Sequence, residues 1–341
     1  MQQDFHFDVV YALCRCSGLE AGESRTVAAA SQYTDHCTFA GPLRRPGGEA
    51  YRPTVTYPSG IEVIDRAFQA SVLGGFHFAG GEGAVRVVLP GNASVTALAR
   101  KAAVLAGSSA RYGLHALGIA LHVLVDSFSH QGFSPFLHRV NATTGLDLVP
   151  RDPALLESIQ GFFLSKLPFL PPLVGHAQAG YCPDIPFLRW THRTPPASAW
   201  TRETCAGVRT EGERVVRDNA VIAAEAAAAV ALALACVPGL KPARDLTEQA
   251  AFFSCARFRR MDSLRGRSAQ WRALFLADRF FDFRGAEDER HYLYDGKEWL
   301  GRAHGFAALP RGPAVLTLRR GYTRTDWWRF QQAVRWVKRQ N

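Results

Sequence analysis

One stretch of the sequence restricts the fold more than any other. From Arg111 to Gln131 the chain is rich in leucine, valine and alanine, and its titratable side chains after position 120 are His122, Asp126 and His130. On a helix of about 3.6 residues per turn, steps of four residues keep these three side chains on one stripe. An aspartate in the middle of a buried helix is costly unless it is paired or bound to a metal. The pattern therefore predicts a central buried helix with one polar stripe.

The stripe has the chemistry of a metal site. His115 lies seven residues before His122, nearly two full turns, so it adds a fourth candidate to the same side. Imidazole and carboxylate together suit zinc or a similar divalent cation. An ion-paired or hydrogen-bonded core without metal is the alternative interpretation. One helix cannot surround an ion, so a metal site also needs ligands from elsewhere in the chain.

Other segments offer such ligands. His6 lies in the N-terminal DFHF, Asp35 and His36 end the segment SQYTDH, and His176 and Asp184 lie in GHAQAGYCPD. The remaining histidines have no comparable setting and are interpreted as structural or surface residues: His77, His138, His192, His291 and His304.

Helix is the dominant predicted element. Helices are predicted over residues 20–33, 94–106, 201–236, 246–259, 268–279 and 324–340, and loops over 40–60, 132–155 and 166–200. Residues 71–92 form a glycine-rich stretch with a short strand-like RVVL, and its part 74–83 is predicted to be a flexible lid or turn. The fold class predicted is all-α, a compact multi-helix bundle with long irregular loops. It forms one domain over 1–341, with the metal-site region in 1–237 and a basic helical extension, 238–341, packed on it.

The charge of the chain is unevenly distributed. The formal net charge is +10, and residues 241–341 carry 21 Lys and Arg against 11 Asp and Glu, so the whole excess lies there. Such a region suits an anionic partner: nucleic acid, a phosphorylated substrate or a membrane surface. A solvated arginine-rich surface without a partner is the alternative.

Cysteine usage and the N-terminus predict a cytoplasmic protein. The seven cysteines contain no CxxC, and a chain of this size rarely relies on disulfides, which indicates a reducing compartment. The N-terminus has acidic residues and no basic region of the kind that starts a secretory signal. Residues 221–237 are apolar but short, alanine-rich and interrupted by Glu225, which favours a buried helix over a membrane span.

Several segments together carry a family resemblance. The segments are MQQDFHFDVVYALCRCSGLE, AAASQYTDH, LPGNAS, LGIALHVLVDSFSHQGFS and GHAQAGYCPDIPFLRW. They resemble a bacterial family of unknown function that is similar to the zinc-dependent phospholipase C and single-strand nuclease superfamily. The resemblance runs over the whole chain and implies a helical bundle of the phospholipase C type.

The resemblance also implies a ligand set for one to three zinc ions. It matches His122 and Asp126 to the ligands of the superfamily helix, His130 to the histidine that follows them, and Asp35 to the bridging aspartate. His6 is similar to the N-terminal histidine and His176 to the late histidine.

The sequence departs from the superfamily in three places, and one of them is the His–Asp–His spacing, whose second interval is shorter than in many phospholipases. The superfamily's N-terminal tryptophan, whose free amine is a ligand, has no counterpart, because Met1 is followed by Gln2. A late HxxxE is absent, and Asp184, eight residues after His176, is the nearest acidic candidate.

These observations predict a metal-dependent phosphoesterase that acts on a phosphodiester or phospholipid-like substrate through a metal-activated water. Asp35 and Asp126 are the residues expected to take part in catalysis. A structural metal protein is one alternative. Another is a nucleic-acid-binding module using the basic C-terminal region, where Trp327, Trp328 and Trp336 alternate with arginines, although helical spacing also suits a core stripe. No GxSxG, phosphate loop or HExxH supports another enzyme class.

Overall fold

The computed structural model describes residues 1–81, 83–166, 173–194, 214–277, 279–281, 292–305 and 316–340. Over these residues the chain is mostly helical. Its α-helices are α1 (Val10–Cys16), α2 (Ala21–Tyr33), α3 (Arg66–Phe68), α4 (Ala93–Ala106), α5 (Gly113–Ser129), α6 (Pro153–Lys166), α7 (Asn219–Leu234), α8 (Leu246–Phe252), α9 (Cys255–Phe258), α10 (Leu264–Ala277), α11 (Glu298–His304) and α12 (Asp326–Lys338). The prediction of a mainly helical chain is confirmed.

Two small sheets accompany the helices. The strands are β1 (Leu43–Arg44), β2 (Ala50–Tyr51), β3 (Thr144–Leu148), β4 (Arg189–Arg193), β5 (Arg214–Asp218) and β6 (Leu316–Thr317). In the first sheet β1 lies between an antiparallel β2 and a parallel β6. In the second, β4 lies between β3 and β5, antiparallel to both, with Trp190 opposite Arg217. The predicted all-α class is therefore only partly right, because the mostly helical fold also contains two small sheets.

Helix α5 is the centre of the molecule, as its sequence predicts. It packs against α2, α4, α7 and α12, and every residue from His115 to Ser127 is buried. Gly118 allows the close approach of α2, because a Cβ at this position would lie 2.3 Å from the carbonyl oxygen of Val27. The polar stripe of α5 is thus enclosed by packed helices.

Two helical segments have π-helical backbone geometry: Asp4–Val9 and Gln69–His77. The first leads directly into α1, and the second follows α3. The flexible lid or turn predicted over 74–83 is therefore wrong for residues 74–77, which are helical. The glycine content on which that prediction relied accompanies close packing here, because a Cβ at Gly74 would lie 3.4 Å from the Pro135 side chain.

The predicted helix over 201–236 is also partly wrong. Residues 214–218 form β5, and α7 begins only at Asn219, where the Asp218 side chain accepts a hydrogen bond from the Ala220 N–H. Residues 201–213 of this prediction lie outside the described part of the chain. All five residues of Arg214–Asp218 pair with β4, so tertiary pairing rather than a local pattern makes this end a strand.

The C-terminal region packs on the rest of the molecule. Helix α12 lies against α5, and α10 lies against the π-helical segment Asp4–Val9. Within α12 the buried side chains include Trp327, Phe330 and Val334, whereas Trp328 and Trp336 are half-buried. The core stripe expected for this helix was Trp328, Phe330, Val334 and Trp336. Only Phe330 and Val334 are fully in the core, the two tryptophans pack against it while half-buried, and Trp327, outside that stripe, is the buried tryptophan.

The six described cysteines are all free thiols. Within the described ranges, no helix combines the length and the apolar character needed to cross a membrane.

Candidate metal centre

Asp126 is the centre of a buried polar cluster inside the apolar core. Its Oδ1 accepts a hydrogen bond from the Met1 α-amino group at 2.7 Å and lies 3.1 Å from His6 Nε2. Its Oδ2 lies 3.1 Å from His122 Nε2 and 3.2 Å from His77 Nδ1. Asp126 is only 1% exposed. One carboxylate therefore connects α5 with both π-helical segments and with the chain terminus.

A second group adjoins the first at the end of α5. Asp184 Oδ1 lies 3.1 Å from His130 Nε2, and Asp184 Oδ2 lies 3.6 Å from His176 Nε2. The two imidazole rings are 4.7 Å apart, and the Met1 α-amino group lies 3.3 Å from Asp184 Oδ1. The Met1 amine thus stands between Asp126 and Asp184 and links the two groups.

Asp35, just after the end of α2, completes the cluster on its outer side. Its Oδ1 lies 3.7 Å from His122 Nε2 and 3.6 Å from His77 Nδ1. Gln32 donates a hydrogen bond to its other oxygen at 3.3 Å. The Asp35 side chain is 21% exposed, against 2% for Asp126 and 8% for Asp184. Of these three carboxylates, Asp35 is therefore the one most accessible to a solute.

Backbone carbonyls fix the orientation of three of the rings. His77 Nε2 donates to the carbonyl of Thr56 at 2.8 Å, and His130 Nδ1 donates to the carbonyl of His77 at 2.7 Å. His176 Nδ1 donates to the carbonyl of Gly180 at 2.8 Å. A carbonyl oxygen can only accept, so each of these nitrogens carries the proton. This is the outer-shell arrangement that holds metal-ligating histidines in one tautomer.

The second nitrogen of each of these rings then faces a carboxylate. In a neutral ring this nitrogen has a lone pair, and His77 Nδ1 and His130 Nε2 point it at Asp126 and Asp184 from 3.2 and 3.1 Å. Two acceptors at this distance repel each other unless a proton or a metal ion lies between them. The donor set is therefore arranged for a shared cation.

Burial keeps several of the rings neutral. It lowers the pKa of His6, His122 and His176 to about 4 in each case. At neutral pH these rings therefore offer a lone pair without first losing a proton, as metal binding requires. His77 differs, because its hydrogen bond to Asp126 and the charge of Asp35 outweigh burial and raise its pKa.

The carboxylates remain ionised despite burial. Burial favours the neutral acid, but the Met1 ammonium and neighbouring histidines outweigh it and hold the pKa of Asp126 and Asp184 well below the usual range. Burial acts against the charge of the Met1 amine too, yet Asp126 and Asp184 raise its pKa to about 11. The cluster therefore contains negative charge that a cation can neutralise.

Among the described residues, three sets of side chains have the geometry to hold metal ions, and the first two share His122. In each set the ligand atoms lie within 4.8 Å of one another. The sets are His6, Asp35 and His122; His77, His122 and Asp126; and His130, His176 and Asp184.

The structure brings together all six side chains that the sequence analysis selected as ligands. These are His6, Asp35, His122, Asp126, His130 and His176. Asp184, named only as an acidic candidate, joins them. Two other candidates lie outside the cluster: His36 contacts the Tyr294 hydroxyl at 2.7 Å, and His115 pairs with Asp326 at 3.2 Å.

One expectation was wrong. His77, interpreted as a structural or surface residue, lies in the cluster because the π-helical segment turns it toward Asp126. Its position between Phe76 and Phe78, both buried, was the available signal for burial. The α-amino group of Met1 also reaches the site, although this residue is not a tryptophan.

A cavity of about 390 Å³ lies over the cluster. Its polar floor includes Asp35, Asp126 and Asp184, and its walls include aromatic side chains and one lysine: Tyr57, Phe78, Phe163, Tyr181 and Lys166. The cavity is therefore lined by both carboxylates and aromatic rings.

The fold and the site together define a class: a mostly helical protein with a buried histidine–aspartate centre that could hold metal ions. Within that class, a family model matches residues 1–340, and the chain belongs to that family, described as a family of unknown function, DUF6765. No curated protein and no solved structure matches the chain significantly.

Proposed function

We propose that this protein is a metal-dependent phosphoesterase, with zinc as the metal and a bundle of the zinc-dependent phospholipase C type as its architecture. One observation carries the proposal. His77 and His130 each donate one ring nitrogen to a backbone carbonyl and aim the other at a carboxylate, an arrangement that suits a metal ion between the two.

The ligands form two ends of one centre. His6, Asp35, His77, His122 and Asp126 would hold metal at one end, and His130, His176 and Asp184 at the other. A zinc ion bound there lowers the pKa of its water to about 7 and stabilises charge on a phosphoester oxygen.

Asp35 has the position of a general base. It is the most exposed carboxylate of the three, it borders the cavity, and Gln32 orients its second oxygen. A carboxylate in this position can accept a proton from a water molecule held between it and the centre. Asp126 is nearly sealed from solvent, so its part is to neutralise and align the cations.

The cavity favours a phosphoester with an apolar or aromatic portion. Lys166 supplies a positive charge on its wall, suited to a phosphate oxygen, while Tyr57, Phe163 and Tyr181 present rings. A phosphodiester or a phospholipid-like molecule combines these two features. The basic surface of the C-terminal region would attract the same anionic molecules, and a cytoplasmic location remains the prediction from sequence.

A structural metal centre is the second candidate, and the burial of the cluster favours it. Asp126, His6 and His122 are at most 1% exposed, so an ion between them would be closed off from substrate. Such an ion would connect α5 and the N-terminal segment and add to stability without turnover.

Replacing Asp126 by asparagine tests the proposal. The amide keeps the shape of the side chain but removes the central negative charge, so bound zinc and phosphodiesterase activity should both fall by at least about 10-fold. Zinc content would be measured by elemental analysis and activity with a chromogenic phosphodiester in the presence of added zinc.

The matched control is Asp326→Asn. Asp326 also pairs with a buried histidine, His115 at 3.2 Å, but it lies outside the cluster. This variant should keep its zinc and its activity. Full zinc content in Asp126→Asn would overturn the metal centre, and zinc binding by a parent protein that hydrolyses no phosphodiester would favour the structural candidate.

A further inference from the structure

A buried ion pair joins the C-terminal region to the segment that enters the metal centre. Arg267, on α10, donates from Nε to Asp4 Oδ2 at 2.7 Å, and the two side chains are 6% and 3% exposed. Asp4 is the first residue of the π-helical segment that contains His6. The pair thus connects residues 263 positions apart in the sequence.

The other guanidinium nitrogens of Arg267 are used as well. One donates to the side-chain oxygen of Gln2, and the other donates to the carbonyl of Asp262 at 2.6 Å. The guanidinium lies 5.4 Å from the centre of the Phe187 ring. Arg267 therefore contacts Gln2 and Asp4, the two neighbours of Gln3, close to the first residue of the chain.

The restrained segment is the one that supplies ligands. Gln2 adjoins Met1, whose amine contacts Asp126, and Asp4 lies two residues before His6, whose Nε2 contacts the same oxygen. Ring contacts from the C-terminal region support the segment on its other sides: Phe258 lies 5.8 Å from Phe5, and Tyr294 lies 5.5 Å from Phe7.

We propose that Arg267 is a positioning residue of the metal centre, and that the C-terminal region holds the N-terminal segment in place so that His6 reaches Asp126. The inference rests on the proposed metal centre but not on phosphoesterase activity. A buried ion pair often adds little stability over apolar packing, whereas a planar guanidinium with three partners fixes one geometry. Part of the C-terminal positive charge therefore acts inside the molecule.

The test compares two variants of the full-length protein with the parent. Arg267→Lys keeps the positive charge but loses the planar guanidinium with its three partners. The double variant Asp4→Asn with Arg267→Gln removes both charges of the pair, so neither is left buried without its partner. Zinc affinity would be measured by competition with a chromogenic chelator, and hydrogen exchange by mass spectrometry would follow residues 4–9. Both variants should bind zinc at least about 10-fold more weakly, as loss of an outer-shell partner does, and residues 4–9 should exchange faster in both.

The control is Arg259→Gln, which removes a more exposed ion pair with Asp218 at 2.8 Å. It should leave zinc affinity and exchange of residues 4–9 unchanged. Unchanged zinc affinity in both Arg267 variants would overturn the positioning role, and so would a parent protein that binds no zinc. A parent that binds zinc without turnover, with weaker binding in the variants, would overturn the phosphoesterase while supporting the role of Arg267.

Discussion

At the scale of single residues, Asp126 determines the character of the site. Its two oxygens are shared among an ammonium group and four imidazoles, and no other described carboxylate contacts so many titratable groups. The helical spacing of His122, Asp126 and His130 predicted this stripe because four-residue steps are visible in one sequence. The partners from other segments were harder to select, because their proximity depends on how the chain returns to α5.

A substitution of His77, which the sequence analysis did not select as a ligand, tests its role in the centre. His77→Phe keeps an aromatic ring next to Tyr57 and removes both ring nitrogens, the one that donates to Thr56 and the one that faces Asp126. We expect zinc to bind at least about 10-fold more weakly, because losing a direct ligand should lower metal affinity at least as much as losing an outer-shell partner does. Calorimetric titration with zinc would measure it.

The control for this change is His115→Phe. His115 is also buried, packs against Trp299 and contacts a carboxylate, but it lies outside the cluster. Its replacement should leave zinc binding intact. Equal zinc affinity in the two variants would return His77 to the structural role predicted from sequence.

At the scale of helices and strands, the site depends on how closely α2 approaches α5. Asp35 follows α2, and the distance from Asp35 to His122 is set by the contact at Gly118, where Val27 and Ala30 of α2 pack on the α5 backbone. The apolar pattern of α5 was enough to predict it as a helix. The two sheets could not be predicted, because strands this short resemble loops in sequence and β5 continues directly into the apolar run of α7.

Gly118→Ala should separate α2 from α5. The new Cβ would lie 2.3 Å from a backbone oxygen and 2.6 Å from the Ala30 Cβ, so the helices must move apart. We expect a loss of about 1–3 kcal/mol in the free energy of unfolding, the usual result of overpacking, together with weaker zinc binding. Urea unfolding and zinc titration would measure the two effects.

Gly161→Ala is the matched control on α6. A Cβ there meets nothing within 4 Å, so the substitution should raise stability by about 0.5–1 kcal/mol through helix propensity. Zinc binding should not change. If Gly118→Ala behaved like Gly161→Ala, the close approach of α2 would not be a constraint on the site.

At the scale of the whole molecule, the buried histidines predict acid sensitivity of the metal-free protein. His6, His122 and His176 have a pKa of about 4 when folded, against an ordinary value of 6.5. Between these values the unfolded chain binds protons that the folded protein does not, so the free energy of unfolding falls as pH drops from about 6.5 to 4. The raised pKa of His77 opposes this only in part.

At alkaline pH, the Met1 amine is expected to limit the stability of the metal-free protein. Its pKa is about 11 when folded and 8.0 ordinarily, so its contribution to stability is lost as pH rises from about 8 toward 11. Stability of the chelator-treated protein should therefore be greatest between about pH 6.5 and 8. Urea midpoints measured from pH 4 to 10 would show this, and a maximum below pH 5 would contradict it.

The carbonyl-bound histidines also give the centre a spectroscopic signature. Their ring N–H protons, on His77, His130 and His176, are held by the carbonyls of Thr56, His77 and Gly180, and the three rings are at most 8% exposed. Hydrogen-bonded ring protons of this kind exchange slowly with solvent and resonate downfield of the backbone amides. Their signals would report on the centre with diamagnetic zinc bound, because the nitrogen that carries each proton is not the one that faces the carboxylates.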